Sequence, residues 1–515
     1  MRATWFSSAM ALWASVVVGC GSDDDFVPRP IDASADAPSD AGSPPREVRV
    51  VRGEVVAEVD ARFLSFAVDT AQLVGGTFWS NEGGTGATGD MPVPPFDFER
   101  PRLRALAGAL SPALLRLGGS DADKVFYDLS ETPVAEAPAP YRWVLTAGQL
   151  DGALAMAEAT GLDVLFTMNL GPGPRDAEGA WTDAQARRLL EHVRDSGRRI
   201  DVFELGNEPN AFRVIHGLDF VVPPEQLVAD HARFAATLRE VLGEDTRLAG
   251  PGSAFWPVVG ELAPVFPDFL VAGGGAHLDV VTWHYYPQQS RRCPLATRRA
   301  RETTMLDPEH LDEVARWASE VEVAAAMHAP GAEVWLGESG HAQCGGEPGV
   351  SDRFVSTFWW LDQLGLLARR GQRVVVRQAL AGADYGLLHP ETLAPRPDFW
   401  ASWMFKQLMG TQVLDVRSDD VNLRAYAHCR REVPGEAVML LLNLAPGDAD
   451  VRVDGAREVF LVEAELLGQE LRLDGRVLAD VDGALPELRG REATDAIAVP
   501  GRAWAFVTTS EPACR

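Results

Sequence analysis

Positive charge is scarce in this chain of 515 residues: 47 Lys and Arg stand against 74 Asp and Glu, a formal net charge of −27. That balance argues against a nucleic-acid binder, because displacing counterions from a phosphate backbone needs a cationic surface. Cysteine is sparse too, five in all, and no CxxC or clustered Cys/His spacing suggests a zinc or other metal site. The apolar stretch at the N-terminus is too short for a comfortable transmembrane span. What remains, 46% hydrophobic and 23% charged, is the composition of a soluble globular protein. The length suits two domains or one large one.

The opening "MRATWFSSAMALWASVVVGC" has one early Arg, a short apolar stretch and a small residue before Cys20, as in an export signal over residues 1–20. Its end resembles a bacterial lipobox, in which the cysteine is lipidated and becomes the mature N-terminus. An ordinary secretion signal with an incidental cysteine is the alternative. The lipobox reading predicts an exported protein, lipid-anchored to the bacterial cell envelope at the outer membrane or cell surface. Residues 21–46, rich in Ser, Asp, Ala and Pro, cannot bury enough apolar area to fold and suit a disordered tether from membrane to domain. Export permits disulfides. Setting Cys20 aside leaves Cys293, Cys344, Cys429 and Cys514, the even number of a two-bridge framework. Three pairings are open on the residues alone, as are buried free thiols.

From 60 to 400 short apolar runs alternate with amphipathic stretches. Strand-like runs fall at 63–69, 113–119, 162–170, 201–207, 246–252, 278–286, 332–339 and 372–380. Between them, patterns such as "TDAQARRLLEHVRDSG" space apolar residues by three and four, as a helix with one buried face does. Eight such alternations predict a (β/α)8 barrel, an α/β fold whose active site lies at the C-terminal ends of its strands. From 401 to 515 the texture changes to short β runs separated by Gly, Asp and Pro turns, which read as a β-sandwich. The strand-like segment 47–59 precedes the barrel and is expected to join that sandwich.

Residues 203–210 read "FELGNEPN", with Glu208 following an apolar run closed by glycine. Alone, this is a surface turn. A second carboxylate in a matching setting changes the reading: "AEVWLGESG" places Glu338 after strand seven as Glu208 stands after strand four. Across a barrel mouth they form the carboxyl pair that glycoside hydrolysis needs, one protonating the leaving oxygen and one attacking the anomeric carbon. Asn207 would donate to the sugar hydroxyl beside that carbon. "TWHYY" offers His284, Tyr285 and Tyr286 to the substrate, with one tyrosine hydroxyl holding the Glu338 carboxylate ionised. A core histidine, a stacking aromatic or a turn-shaping Asn is the structural alternative at each.

The segments "FELGNEPNAF", "LDVVTWHYY", "VWLGESG", "RFVSTFWWLDQLGLLARRGQRVVVRQAL" and "LRAYAHC" make the chain similar to glycoside hydrolase family 79, the heparanase and β-glucuronidase family of clan A retaining glycosidases. The resemblance implies Glu208 as general acid/base, Glu338 as nucleophile, and Asp69 and Ser120 at the glycone hydroxyls. It implies a Cys429–Cys514 bridge, which leaves Cys293 and Cys344 as a second. No metal or organic cofactor is expected. The partner is a carbohydrate substrate, with the membrane reached through the anchor and no protein partner predicted. Members that take glucuronides hold the uronate with a Gln and a Gly–Asn–Tyr stretch; Gln378 is kept and Tyr385 falls near the tyrosine, but Asp384 intrudes. The basic run 290–301 either overhangs the cleft to meet an acidic glycan or compensates nearby acids. A β-glucuronidase-like enzyme is the leading expectation. A clan A glycosidase on a neutral β-glycoside and a non-catalytic carbohydrate-binding lipoprotein are the alternatives.

Overall fold

The structure, a computed structural model, describes residues 46–79 and 90–515. The signal segment, Cys20 and residues 21–45 of the linker lie outside the described residues. Eight parallel strands close a barrel in chain order: β1 (Leu64–Asp69), β2 (Leu114–Gly118), β3 (Asp163–Met168), β4 (Val202–Leu205), β5 (Arg247–Phe255), β6 (Val280–Tyr285), β7 (Glu333–Ser339) and β8 (Val374–Arg377). Seven of the eight runs predicted from the sequence contain one of them, and the fifth, 246–252, falls three residues short of the end of β5. Nearly every residue in these strands is buried, as expected when a barrel core lies on one side and helices on the other.

The helices follow from local sequence. Ala147–Thr160 begins at Thr146, whose hydroxyl and the Gln149 side chain cap each other's backbone, and ends at Gly161 in the left-handed region that favours glycine. Ala184–Ser196 buries Ala186, Leu189, Leu190 and Val193 on one face. Two later helices are buried almost all round: Ser356–Arg369, after β7, and Pro397–Leu408, after β8. Their burial all round follows from their place between the barrel and a second β structure. The expected boundary at 400/401 falls inside the latter helix, which runs unbroken to Leu408.

That β structure is built from the C-terminal region plus Arg46–Glu58, which pairs antiparallel with Met409–Ser418 and parallel with Ala449–Arg452 and so links its two parts. Period-two alternation divides its strands between two cores. On Glu436–Asn443, Val438, Leu440 and Leu442 join the barrel's core, while Ala437, Met439 and Leu441 face the sandwich interior. Trp504 joins the barrel core and donates its indole N–H to Thr357 Oγ1 at 2.9 Å. Cys429–Cys514 closes the sandwich and Cys293–Cys344 bridges the loops after β6 and β7. No helix among the described residues is long and apolar enough to cross a membrane.

Candidate active site

The site grows out of strand alternation. Low in the barrel, Leu114, Leu165, Val202 and Val280 form part of an apolar interior. Two residues further along the same inward faces stand Arg116 on β2, Thr167 on β3, Glu204 on β4 and Thr282 on β6, all buried. β7 does not continue the series by alternation alone, since Trp335 points inward and Glu338 would then point outward. A register shift corrects the phase: Trp283 pairs with Leu336, but His284 pairs with Glu338. Gly337 occupies the shift, where a Cβ would lie 3.3 Å from the Thr282 side chain. The inserted residue turns the Glu338 carboxylate into the mouth.

Glu208 follows β4 with φ 55°, a left-handed conformation uncommon outside glycine, and its N–H donates to Gly252 O at 3.1 Å. The turn lifts its carboxylate to the surface of the cleft, 14% exposed, where Oε1 lies 3.1 Å from His284 Nδ1. Glu338 is deeper. Its Oε2 accepts from Arg116 Nη1 at 2.7 Å and its Oε1 from the Tyr286 hydroxyl at 2.7 Å. Burial alone would push the Glu338 carboxyl up; His284, Arg116 and the Tyr286 hydrogen bond outweigh it and hold the group below the ordinary Glu value.

Arg116 is the hub beneath the pair. Its Nη2 donates to Glu204 Oε2 at 2.9 Å and to Asn207 Oδ1 at 2.8 Å, and lies 3.5 Å from His284 Nε2. Glu204 also accepts from Thr167 and Thr282, at 3.0 and 2.8 Å. Asp123 fixes the next turn, accepting the N–H groups of Leu170 and Asn207 at 2.7 and 2.9 Å. None of Arg116, Glu204 or Asp123 was singled out from the sequence. Two carried a signal: Arg116 and Glu204 are charged residues on the inward phase of apolar barrel strands, where an unpartnered charge would not be tolerated.

Beside Glu338 the structure brings together Asp69, Gln378, Tyr286 and Tyr385. Asp69 Oδ1 accepts from Ala71 N–H at 2.9 Å and Oδ2 from Gln378 Nε2 at 2.8 Å. Its burial, with Asp121 and Glu338 nearby, pushes its carboxyl up to about 7. Tyr286 and Tyr385 share an apolar cluster with Phe78, their rings 6.4 Å apart. Ser120 is half-buried in the turn after β2, one residue beyond Gly119, whose missing side chain leaves room for the Asp69 carboxylate. His284 is fully buried, with both ring nitrogens facing protein groups, so it stands under the carboxylates rather than in the cleft.

One expectation is corrected. Tyr285 is not in the cleft. It occupies the outward phase of β6 and donates its hydroxyl to Glu313 Oε2 on the flanking helix at 3.1 Å. Of the two readings of the basic run, the pairing is that of compensation of nearby acids. Arg291 pairs with Glu347, Arg292 with Asp384 at 2.6 Å and Arg298 with Glu313, while Arg299 donates to the carbonyls of Ser290 and Cys293. The Arg292 partnership sets a cation against the buried Asp384. Burial pushes the Asp384 carboxyl up to about 6, against the pull of Arg292.

One carboxylate oxygen from each of Glu208 and Glu338 and one ring nitrogen of His284 lie within 4.8 Å of one another. Among the described residues this is the only such cluster that would hold a metal ion. Its donors are already engaged by Arg116 and Tyr286 and by one another, so the protein itself supplies the positive charge there. The arrangement sets two carboxylates of unequal burial close to each other at the mouth of the barrel.

Comparison with known proteins agrees. Residues 82–365 match the N-terminal domain of glycosyl hydrolase family 79. Mouse heparanase is 29% identical over 470 residues, covering 79% of this chain and 85% of that protein. Human inactive heparanase-2 is 28% identical over 379 residues, covering 68% of this chain and 61% of that protein. Among solved structures, a 4-O-α-L-rhamnosyl-β-D-glucuronidase from Fusarium oxysporum superposes with a TM-score of 0.63 at 14% identity, over 90% of this chain and all of that one. That last likeness is one of fold.

Proposed function

The chain belongs to glycosyl hydrolase family 79, and from that premise we propose that it is a retaining β-glycosidase acting on β-glucuronides or other uronic-acid-containing glycans. In the first step Glu208 protonates the glycosidic oxygen while Glu338 attacks C1, giving a covalent glycosyl-enzyme. In the second, Glu208 removes a proton from the incoming water, which attacks C1 and frees Glu338. One observation carries this reading: the two carboxylates, with oxygens within 4.8 Å of each other, sit in different environments. Retention is supported because carboxyl groups about 5–5.5 Å apart leave no room for the water that an inverting pair, about 6.5–9.5 Å apart, must hold. Glu338 is buried and held ionised, as a nucleophile requires, and Glu208 is the more exposed member, open to leaving group and solvent.

The uronate reading is supported by Gln378 and Tyr385 at the glycone and by the pairing of Asp384 with Arg292, which removes the charge that would repel a substrate carboxylate. A neutral β-glycoside, such as a xyloside or glucoside, is the second reading, favoured by Asp384 within the stretch where the family carries Gly–Asn–Tyr. A carbohydrate-binding role without turnover, raised by the inactive relative, is disfavoured because binding alone would not require both glutamates, Asn207 and Tyr286. Release of 4-nitrophenol from a panel of β-glycosides by the chain lacking residues 1–45 separates these, with Glu338→Gln as control. Hydrolysis of the glucuronide supports the first reading and of a neutral sugar alone the second. Binding without turnover would overturn both. The anchor at Cys20 is part of the same proposal and is tested by the mass of the mature N-terminus, which carries acyl chains on Cys20 if the lipobox reading holds.

A further inference from the structure

We propose that the rim of the cleft on the leaving-group side binds an apolar aglycone, so that the substrate is a β-glycoside of a hydrophobic alcohol rather than an internal unit of a charged polysaccharide. The inference rests on the glycosidase reading and adds the chemistry of the group that departs. Glu208 donates its proton to the leaving oxygen, so the aglycone lies on the Glu208 side of the cleft. Asp69, Gln378 and Tyr385 cluster on the other side, around Glu338.

The Glu208 side is walled by the loops after β4 and β5, which are joined. Asn210 Nδ2 donates to Ala254 O at 2.8 Å and to Glu261 Oε1 at 3.1 Å, and Ala254 N–H donates back to Asn210 Oδ1 at 3.0 Å. Val214, Leu218, Val221, Val258, Val259 and Leu262 stand on these two loops. They make up six of the nineteen exposed large apolar side chains among the described residues. Apolar residues scattered singly over a surface need no explanation, but a concentration beside a catalytic acid does.

Their exposure is held in place. Phe212 is buried, and its ring packs edge-on against His216 at 5.0 Å and tilts against Phe220 at 5.6 Å, bracing the first loop from below. In the second loop Val258 adopts φ 72°, a strained conformation for a β-branched residue, with its N–H fixed by Glu313 Oε1 at 2.8 Å. The surrounding contacts hold that strain while the side chain remains 49% exposed. Charge is sparse on this wall: the first loop carries Arg213 and Asp219, one of each sign. Glu261 is the one charged residue of 256–264, and its carboxylate is turned to Asn210 and the N–H of Phe266. A sulfated or uronate polymer would find no row of cations here.

The test compares kcat/KM for methyl and n-octyl β-glycosides of the sugar the enzyme accepts, below the detergent's micellar range, using the chain lacking residues 1–45. The two leaving alcohols have similar acidity and differ in apolar size. The octyl glycoside is expected to be favoured about tenfold, the low end for apolar groups bound in an enclosed pocket. Substituting Leu218→Ser, Val258→Ser and Leu262→Ser together is expected to bring the ratio near one. Val421→Ser, Val477→Ser and Val481→Ser, equally exposed but remote, should leave the ratio in place. A polycyclic alcohol of comparable carbon number distinguishes an aromatic glycoside from a lipid glycoside, and preference for either over methyl supports the proposal. Methyl and octyl glycosides hydrolysed alike, or a ratio indifferent to the rim substitutions, would overturn it while leaving the glycosidase reading intact. So would rim-dependent sedimentation with phosphatidylcholine–phosphatidylglycerol vesicles without aglycone preference, which would make the rim a membrane contact. Failure to hydrolyse any glycoside overturns both readings.

Discussion

Glu338 keeps its charge in a buried place because Arg116 and Tyr286 each donate to one of its oxygens. Replacing Tyr286 by Phe removes one charge-assisted bond, of a kind worth about 1.5–3 kcal/mol. The acid limb of kcat/KM, set by Glu338 protonation below the ordinary value of 4.5, should then move upward by about one to two pH units. Glu208→Gln should lower kcat by about 10²–10⁴-fold, the usual range for losing a general acid/base. Asp69 predicts an effect of opposite sign on stability. Its folded carboxyl is raised to about 7 from 3.8, so the unfolded chain releases that proton first and stability falls as pH rises between those values. Asp69→Asn should remove that slope, measured by denaturant unfolding between pH 4 and 7. Arg292→Leu would leave Asp384 buried without its cation, at a cost of about 3–5 kcal/mol in the same assay. At this scale the two glutamates were legible because glycine-closed apolar runs ended in them. Tyr285 was misread because "TWHYY" does not announce which phase of the strand faces inward. Arg292's partner was illegible because Asp384 lies 92 residues away in sequence.

The elements that set the cleft's shape are loops stapled to one another. After β6 and β7, Gln288–Gln289 pairs with Ala342–Gln343 as a two-stranded ribbon, and Cys293–Cys344 locks the pair across a separation of 51 residues. Loop-closure entropy makes such a bridge worth roughly 4 kcal/mol. A Cys293→Ser, Cys344→Ser variant should lose about that much stability and raise KM more than it lowers kcat, since Glu338 remains held by Arg116 and Tyr286. Steady-state kinetics beside a denaturation curve checks both. The elements themselves were readable: seven barrel strands lie within their predicted runs and β5 overruns its own by three residues, because a strand buried on both faces is a short apolar run bounded by turn residues. The register shift at Gly337 was not. A bulge leaves no compositional mark, yet it decides which way Glu338 points.

The whole described molecule shares one core across two β architectures. Val438, Leu440 and Trp504 of the sandwich belong to the same apolar cluster as the barrel, and the described residues form one compact unit. Barrel and sandwich should therefore unfold in a single transition, with coincident far- and near-ultraviolet circular dichroism. The sandwich was legible as a change of texture, but its second apolar face, turned to the barrel, was not, because a strand buried on both sides does not say what covers each side. The central claim, that this fold carries a retaining glycosidase with Glu338 as nucleophile, is tested most directly by trapping. A 2-deoxy-2-fluoro β-glycosyl fluoride of the accepted sugar is incubated with the chain lacking residues 1–45, and the labelled peptide is located by mass spectrometry. The account predicts one sugar per chain, attached to Glu338. Label on Glu208, or turnover through which no covalent sugar can be trapped and the first product is the inverted anomer, would contradict it.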